Sequence, residues 1–307
     1  MKKNDIIELK IESLTNEGCG LGRYEGMVVF VPMSAAGDLL RVRLLKVNKS
    51  HSYGKIEEIL SPSPDRIESD CPVFGKCGGC SFRHISYEAE LRAKEGFVRD
   101  AFTRIGGLSP DFLPIIGNAS PDGYRNKAQY PVGKNADGEY ISGFYADRSH
   151  RIIPCESCRL EQAVFSEIRT FILEYCRKKK IAVYNEEEHK GVLRHICIRR
   201  GHYSGEINVT VVVRRSVPEL KGLAKELSAR FPAIKGITAN INKEKTNVIY
   251  GDEEADLFGE RTITDTMLGK CFSISPKSFY QVNTPMAEKL YALAGSLAEP
   301  EGKNIID

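Results

Sequence analysis

The sequence predicts a multidomain protein in three parts: an N-terminal all-β barrel of OB type, a central α+β region preceded by a cysteine cluster, and the start of a Rossmann-like α/β sheet. Short alternating strands fill the first sixty residues, cysteines at metal-ligand spacing follow, and strand and helix patterns mix from about residue 112 onward. With 307 residues, 41% of them hydrophobic, the chain can bury two or three cores.

The barrel is read at residues 1–60. Ile7, Leu9 and Ile11 alternate on one face, Val28 to Val31 and then Leu40, Val42 and Leu44 follow, and Ile56 to Leu60 completes the set. Turn signals separate the runs at Asn16-Glu17-Gly18, Glu25-Gly26 and Ala36-Gly37-Asp38. A net charge of +3 is too small to prove a nucleic-acid partner, so the placement of the basic residues matters more. Arg41, Arg43, Lys46, Lys49, His51 and Lys55 lie along the last strands. There they can track a phosphate backbone, or simply be the solvated faces of strands.

Residues 61–92 hold a linker and the cysteine run. SPSPDRIESD interrupts both periodicities with two prolines. CPVFGKCGGCSFRHISYEAELRAK then sets Cys71, Cys77 and Cys80 at C-x5-C-x2-C spacing, with Gly78 and Gly79 between the last two. Thiolates are soft ligands suited to zinc and iron-sulfur clusters, and two cysteines separated by two residues can bend round one metal centre. Glycines permit that turn. Three thiolates leave a four-ligand site one short; Cys158 in PCESCRLEQ is the leading candidate for the fourth, with Cys155 as its competitor.

Compartment supports metal over disulfides. The start MKKNDIIELKIE has no apolar core of signal-peptide length, and no run approaches the roughly 18 apolar residues of a membrane span. A soluble cytoplasmic protein is expected, and in that reducing compartment spaced cysteines more often bind metal or do chemistry. Cys19, Cys176, Cys197 and Cys271 are read as buried structural thiols.

Residues 93–268 are read as the central α+β domain. A helix starts at Ser86 with Tyr87, Leu91, Val98, Phe102 and Ile105 on its apolar side, and stops at Gly106-Gly107. VFSEIRTFILEYCRKK and PELKGLAKELSARF read as amphipathic helices, GVLRHICIRRG and EINVTVVVRR as paired strands, and GITANIN as another strand. GYRNKAQYPVG interleaves Arg125 and Lys127 with two tyrosines, a pattern that suits RNA phosphates and unpaired bases, and equally a surface strand with incidental charge. Arg194, Arg199 and Arg200 carry the same two readings.

Residues 269–307 hold a strand-like segment, a helix from about Thr284 to Leu297 and an apolar strand start at residues 304–307. A helix followed by a strand ending in Asp is how many doubly wound nucleotide-binding sheets begin. The Gly-rich turn that should come next is absent, so the truncated start of such a domain is expected.

As a set, the cysteine run, PCESCRLEQ and SPKSFYQVNTPMAEKLY resemble the RNA (uracil-5-)-methyltransferase family, and the barrel is similar to a TRAM domain. Within that family the barrel points to the 23S ribosomal RNA enzymes more than to the transfer-RNA enzyme. The resemblance implies a 4Fe-4S cluster on Cys71, Cys77, Cys80 and Cys158, with Cys155 as an extra cysteine nearby. It also implies S-adenosylmethionine as cofactor, contacted by Gln281, and 23S RNA as partner; nothing in the sequence requires an oligomer, so a monomer is expected. In the implied reaction a cysteine adds to C6 of a flipped-out uracil, C5 takes the methyl group, and a base removes the C5 proton. The resemblance places that cysteine and base beyond Asp307, so no catalytic residue is assigned, and the chain is expected to recognise RNA without turnover. Two other readings stay open. A radical methylthiotransferase would need C-x3-C-x2-C; a zinc-stabilised RNA-binding module without activity would use Cys77, Cys80, Cys155 and Cys158 and leave Cys71 unused.

Overall fold

The computed structural model describes residues 1–299, 301, 302 and 304, and the chain forms two compact units, Met1–Ala119 and Ser120–Asp307. Apart from Asn304, the strand expected at residues 304–307 lies outside the described residues.

In the first unit, β1 (Ile6–Leu14), β2 (Cys19–Tyr24), β3 (Met27–Pro32), β4 (Leu39–Val47) and β5 (His51–Ser61) close into a barrel in the order β1-β2-β3-β5-β4. The period-two pattern does what it promises: Ile7, Leu9, Ile11, Val29, Val31, Leu40, Val42 and Leu44 point inward and form the core. A Cβ at Gly54 would stand 2.2 Å from Val42 Cγ1, so glycine is what lets β5 lie close over β4.

The segment read as a linker is tied to this barrel. Asp38, fully buried ahead of β4, accepts backbone N–H groups from Ala35 (2.7 Å) and Ser63 (2.8 Å), and Arg66 Nη2 at 2.6 Å. Burial alone would raise its pKa, but these donors and the Arg66 charge outweigh burial and hold the carboxyl below its usual range.

Ser86 caps α1 (Tyr87–Asp100), accepting the Ala89 N–H at 3.2 Å, and the helix runs on through one π turn (Ala101–Ile105) before Gly106. Its expected apolar side is half-buried at Tyr87 and Leu91 and open further on: Val98 and Phe102 are exposed and Ile105 is 87% exposed. Packing is instead made by the small Ala89, with Ile85 and Ala35, because a short side chain lets the helix approach closely. This helix belongs to the first unit.

The second unit is built on β6 (Lys127–Lys134), β7 (Tyr140–Tyr145), β8 (Ile152–Pro154), β9 (Leu193–Arg200), β10 (Ile207–Val213), β11 (Ile234–Ile241) and β12 (Glu253–Gly259). They form one sheet in the order β12-β11-β10-β9-β6-β7-β8. Only β10 and β11 pair in parallel, joined through α3 (Glu219–Arg230); the other named neighbours are antiparallel. β10 is buried along its whole length, which its run of valines required. Phe165, Ile168 and Ile172 of α2 (Ala163–Lys178) and Leu220, Leu223 and Leu227 of α3 share its core. A hairpin of β13 (Ile263–Met267) and β14 (Lys270–Ile274) leads to α4 (Thr284–Ala298), capped by Asn283, which accepts the Met286 N–H at 3.3 Å.

His195 is buried in β9, and burial and the neighbouring Arg194 charge push its pKa down to about 4. The unfolded chain therefore binds the extra proton between roughly pH 6.5 and 4, and stability is lost as pH falls through that window. Wild-type protein is expected to lose about 2 kcal/mol more between pH 7 and pH 5 than His195→Gln does, read by urea unfolding at both pH values.

Candidate functional site

The cysteine run forms a tight series of turns in the first unit. The Phe74 N–H bonds Cys71 O at 3.0 Å, the Cys77 N–H bonds Val73 O at 2.9 Å, and the Gly79 N–H points at Cys77 Sγ at 3.3 Å. The barrel supports this loop from below. Gly18, at φ +83° in the β1–β2 turn, would bring a Cβ to 2.6 Å from Ser81 Cβ, and Gly75, at φ +77°, faces Met33. Phe74 stacks on the His84 ring with centroids 5.6 Å apart, and His84 Nε2 bonds Ser34 O at 3.0 Å.

Cys71, Cys77 and Cys80 are all partly exposed. Among the described residues no group of three or more His, Cys, Asp or Glu side chains is gathered closely enough to hold a metal ion. Cys158 lies in the second unit, partly exposed, with the Glu161 N–H on its carbonyl at 3.1 Å. Cys155 is buried, and its thiol donates to Ser157 O at 3.0 Å. Of the four cysteines read as buried, Cys176 and Cys197 are buried, and burial pushes the thiols up to about 12 and about 11. Cys271 is exposed on the solvent face of a two-stranded hairpin that covers one side only, and Cys19 is partly exposed at a strand start; both correct the expectation.

A second set of residues converges where β6 begins. Arg125 is bridged to Glu161 on one side and Asn283 on the other. Asn126 holds the SFYQVN segment directly: its N–H bonds Val282 O at 3.1 Å, and Nδ2 bonds Gln281 O at 2.8 Å and Thr284 Oγ1 at 3.1 Å. Arg199 adds a bond from Nη2 to Ser278 O at 2.7 Å. Three stretches quoted from the sequence, PCESCRLEQ, GYRNKAQYPVG and SFYQVN, therefore meet in one unit. Lys127 lies beside Arg199, and burial, then that charge, depress its pKa. Gln281 is partly exposed, its carboxamide nitrogen donating to Tyr291 Oη at 3.3 Å.

Other candidates have structural partners. Tyr130 is fully buried, donates to Glu161 Oε2 at 2.5 Å and lies under Arg169 at 4.8 Å, so it cannot stack on a base; inward alternation along β6 is the reason. Burial pushes Glu161 up to about 7 against the opposing pull of Tyr130 and Arg169. Arg194 is buried and clamps the 242–246 loop through Asn242 O (2.8 Å), Glu244 O (2.7 Å) and Thr246 O (3.2 Å). Arg200 bonds Gln162 Oε1 at 2.5 Å.

On the barrel, Arg41 pairs with Glu58, while Arg43 (2.8 Å) and Lys55 (3.1 Å) share Glu57. These two cations hold the Glu57 carboxyl down at about 2. Lys46 and Lys49 are exposed. The carboxylates were visible in KIEEIL, but only the strand register shows that they face the arginines.

A TRAM-bearing protein built on a mixed-sheet unit is thus in hand, and comparison supplies the class. The TRAM domain family matches residues 2–56. An uncharacterized RNA methyltransferase of Halalkalibacterium halodurans is 39% identical over 308 residues, covering 100% of this chain and 67% of the relative. One of Clostridium acetobutylicum is 40% identical over 310 residues, again at 100% and 67%. The chain belongs to this RNA methyltransferase family and spans about two thirds of these relatives' length. Nothing in the comparisons supports the expectation of an inactive piece. The crystal structure of Pyrococcus abyssi tRNA (uracil-54, C5)-methyltransferase in complex with S-adenosyl-L-homocysteine shares the fold, with a TM-score of 0.69 at 24% identity, covering 94% of this chain and 65% of that one. Among the described residues no helix is long and apolar enough to cross a membrane.

Proposed function

We propose that the protein methylates C5 of a uridine in 23S ribosomal RNA, with S-adenosylmethionine as the methyl donor. The observation that carries this reading is family membership along the whole chain together with the TRAM barrel at its start. The shared fold with a uracil-C5 enzyme supports the position attacked.

C5 of uracil is a poor nucleophile until C6 is saturated, so the reaction starts with a thiolate adding to C6. S-adenosylmethionine, when bound, would supply the electrophilic methyl group that C5 takes, leaving as S-adenosylhomocysteine; removal of the C5 proton then expels the thiolate and restores the ring. Six of the nine cysteines are set aside from that thiolate role, since Cys176 and Cys197 are buried and held protonated and Cys71, Cys77, Cys80 and Cys158 have another; Cys19, Cys155 and Cys271 are not assigned to it either. Gln281 is assigned to the cofactor, since its partly exposed carboxamide offers an oxygen acceptor on a segment that Asn126 and Arg199 hold in place.

Cys71, Cys77, Cys80 and Cys158 are assigned to a 4Fe-4S cluster. The donor set fits: soft thiols, three of them on one turn-rich loop, with a backbone N–H already directed at one sulfur. Four thiolates leave no open iron site, which gives the cluster a structural part. Cys158, partly exposed, suits the fourth position better than the buried Cys155.

Arg125 and Lys127, and on the barrel Arg41, Arg43 and Lys46, are assigned to the RNA backbone. Arg125→Ala is expected to weaken binding of a 23S transcript and to lower the slope of log affinity against log salt by about 1, measured by filter binding. An unchanged slope removes Arg125 from the interface.

A further inference from the structure

The outer face of the barrel carries an aromatic cluster that the phosphate contacts do not use. Phe30 of β3 and Tyr53 of β5 are direct cross-strand partners, with ring centroids 5.6 Å apart at 32°. The His51 ring stands edge-on to both, 6.0 Å from Phe30 and 5.3 Å from Tyr53. Its two nitrogens are held by Asn48 Nδ2 at 2.9 Å and Ser50 Oγ at 3.1 Å, so the ring is fixed in place.

These rings lie on the side away from the barrel core. Val29 and Val31 on β3, and Ser52 and Gly54 on β5, take the inward positions, which leaves residues 30, 51 and 53 outward. Tyr53 is 41% exposed. Cations frame the cluster: Lys46 is the cross-strand partner of Tyr53 on β4, Lys49 sits in the β4–β5 turn, and both are exposed.

We infer that Phe30, His51 and Tyr53 form a stacking platform for unpaired RNA bases, with Lys46 and Lys49 holding the adjoining phosphates. Every base has a π face, so a fixed, exposed aromatic beside cations binds single strands with little regard to sequence. A duplex keeps its bases stacked on each other and offers the platform nothing. The inference rests on the RNA reading above and adds the substrate feature that the barrel selects: a loop or single-stranded segment next to the target.

The test compares binding of a single-stranded oligouridylate and of a duplex RNA by wild type, Tyr53→Ala, Tyr53→Leu and Tyr53→Phe. Tyr53→Leu keeps apolar bulk on the barrel and removes the π face, which separates stacking from packing. Tyr53→Ala and Tyr53→Leu are expected to weaken oligouridylate binding about 5- to 150-fold, with Tyr53→Phe close to wild type and duplex binding unchanged throughout. Oligouridylate affinity unchanged in Tyr53→Leu, or weakened equally for both RNAs, overturns the platform and leaves the RNA reading standing. Wild-type protein that binds neither RNA overturns both. Melting curves of the three variants accompany the binding; an affinity loss that Tyr53→Phe shares also overturns the assignment.

Discussion

Asp38→Ala is expected to destabilise the first unit by about 3–5 kcal/mol, because it strips a buried ion pair of one partner and leaves the Arg66 guanidinium without its carboxylate. Two backbone N–H groups, those of Ala35 and Ser63, lose their acceptor at the same time. These bonds join the turn before β4 to the chain that leads into the cysteine run, so the damage is expected on both sides of that junction. Hydrogen exchange of barrel amides reads it directly. The pH dependence has a defined sign. The folded-state pKa of Asp38 lies below its usual value, so its contribution is present above the unfolded carboxyl pKa near about 4 and is lost as pH falls through the folded value. Asp38→Asn should therefore flatten the acid limb of the stability curve, and an unchanged acid limb would remove Asp38 from the account.

Cys77→Ser is expected to lose the metal altogether. Anaerobically purified protein should be coloured and carry roughly four irons per chain, falling below about one in the variant. Cys155→Ser should keep its iron, since that thiol is buried and bonded to the Ser157 carbonyl. The zinc-module reading makes the opposite forecast: a colourless protein with about one zinc, lost in both Cys77→Ser and Cys155→Ser and kept in Cys71→Ser. Metal analysis of the three variants separates the two ligand sets.

The barrel was legible because its pattern is local: an alternation of Ile7, Leu9 and Ile11 can bury one face only as a strand. The β9–β10 pair and the two sheet-packed helices were legible for the same reason. Val98, Phe102 and Ile105 fall at helical spacing yet face solvent, because spacing defines a face but not what covers it. Pairing across strands was also hidden. That Glu57 stands between Arg43 and Lys55 depends on register, set by a bulge-bearing β4–β5 ladder. Asn126, the residue that joins β6 to SFYQVN, gave no signal, since its partners lie more than 150 positions away. The aromatic cluster is half legible: His51 stands in the sequence among the basic residues of the last strands, while Phe30 and Tyr53 become its partners only through the parallel β3–β5 register.

The most direct test of uridine methylation is made in the host cell. The gene is disrupted, and 5-methyluridine is mapped by mass spectrometry of nuclease fragments of 23S ribosomal RNA and of transfer RNA. One or more 5-methyluridines are expected to disappear from 23S RNA and to return on complementation, with transfer RNA unchanged. Unaltered 23S RNA, or a loss confined to transfer RNA, would contradict the proposed methylation of 23S RNA.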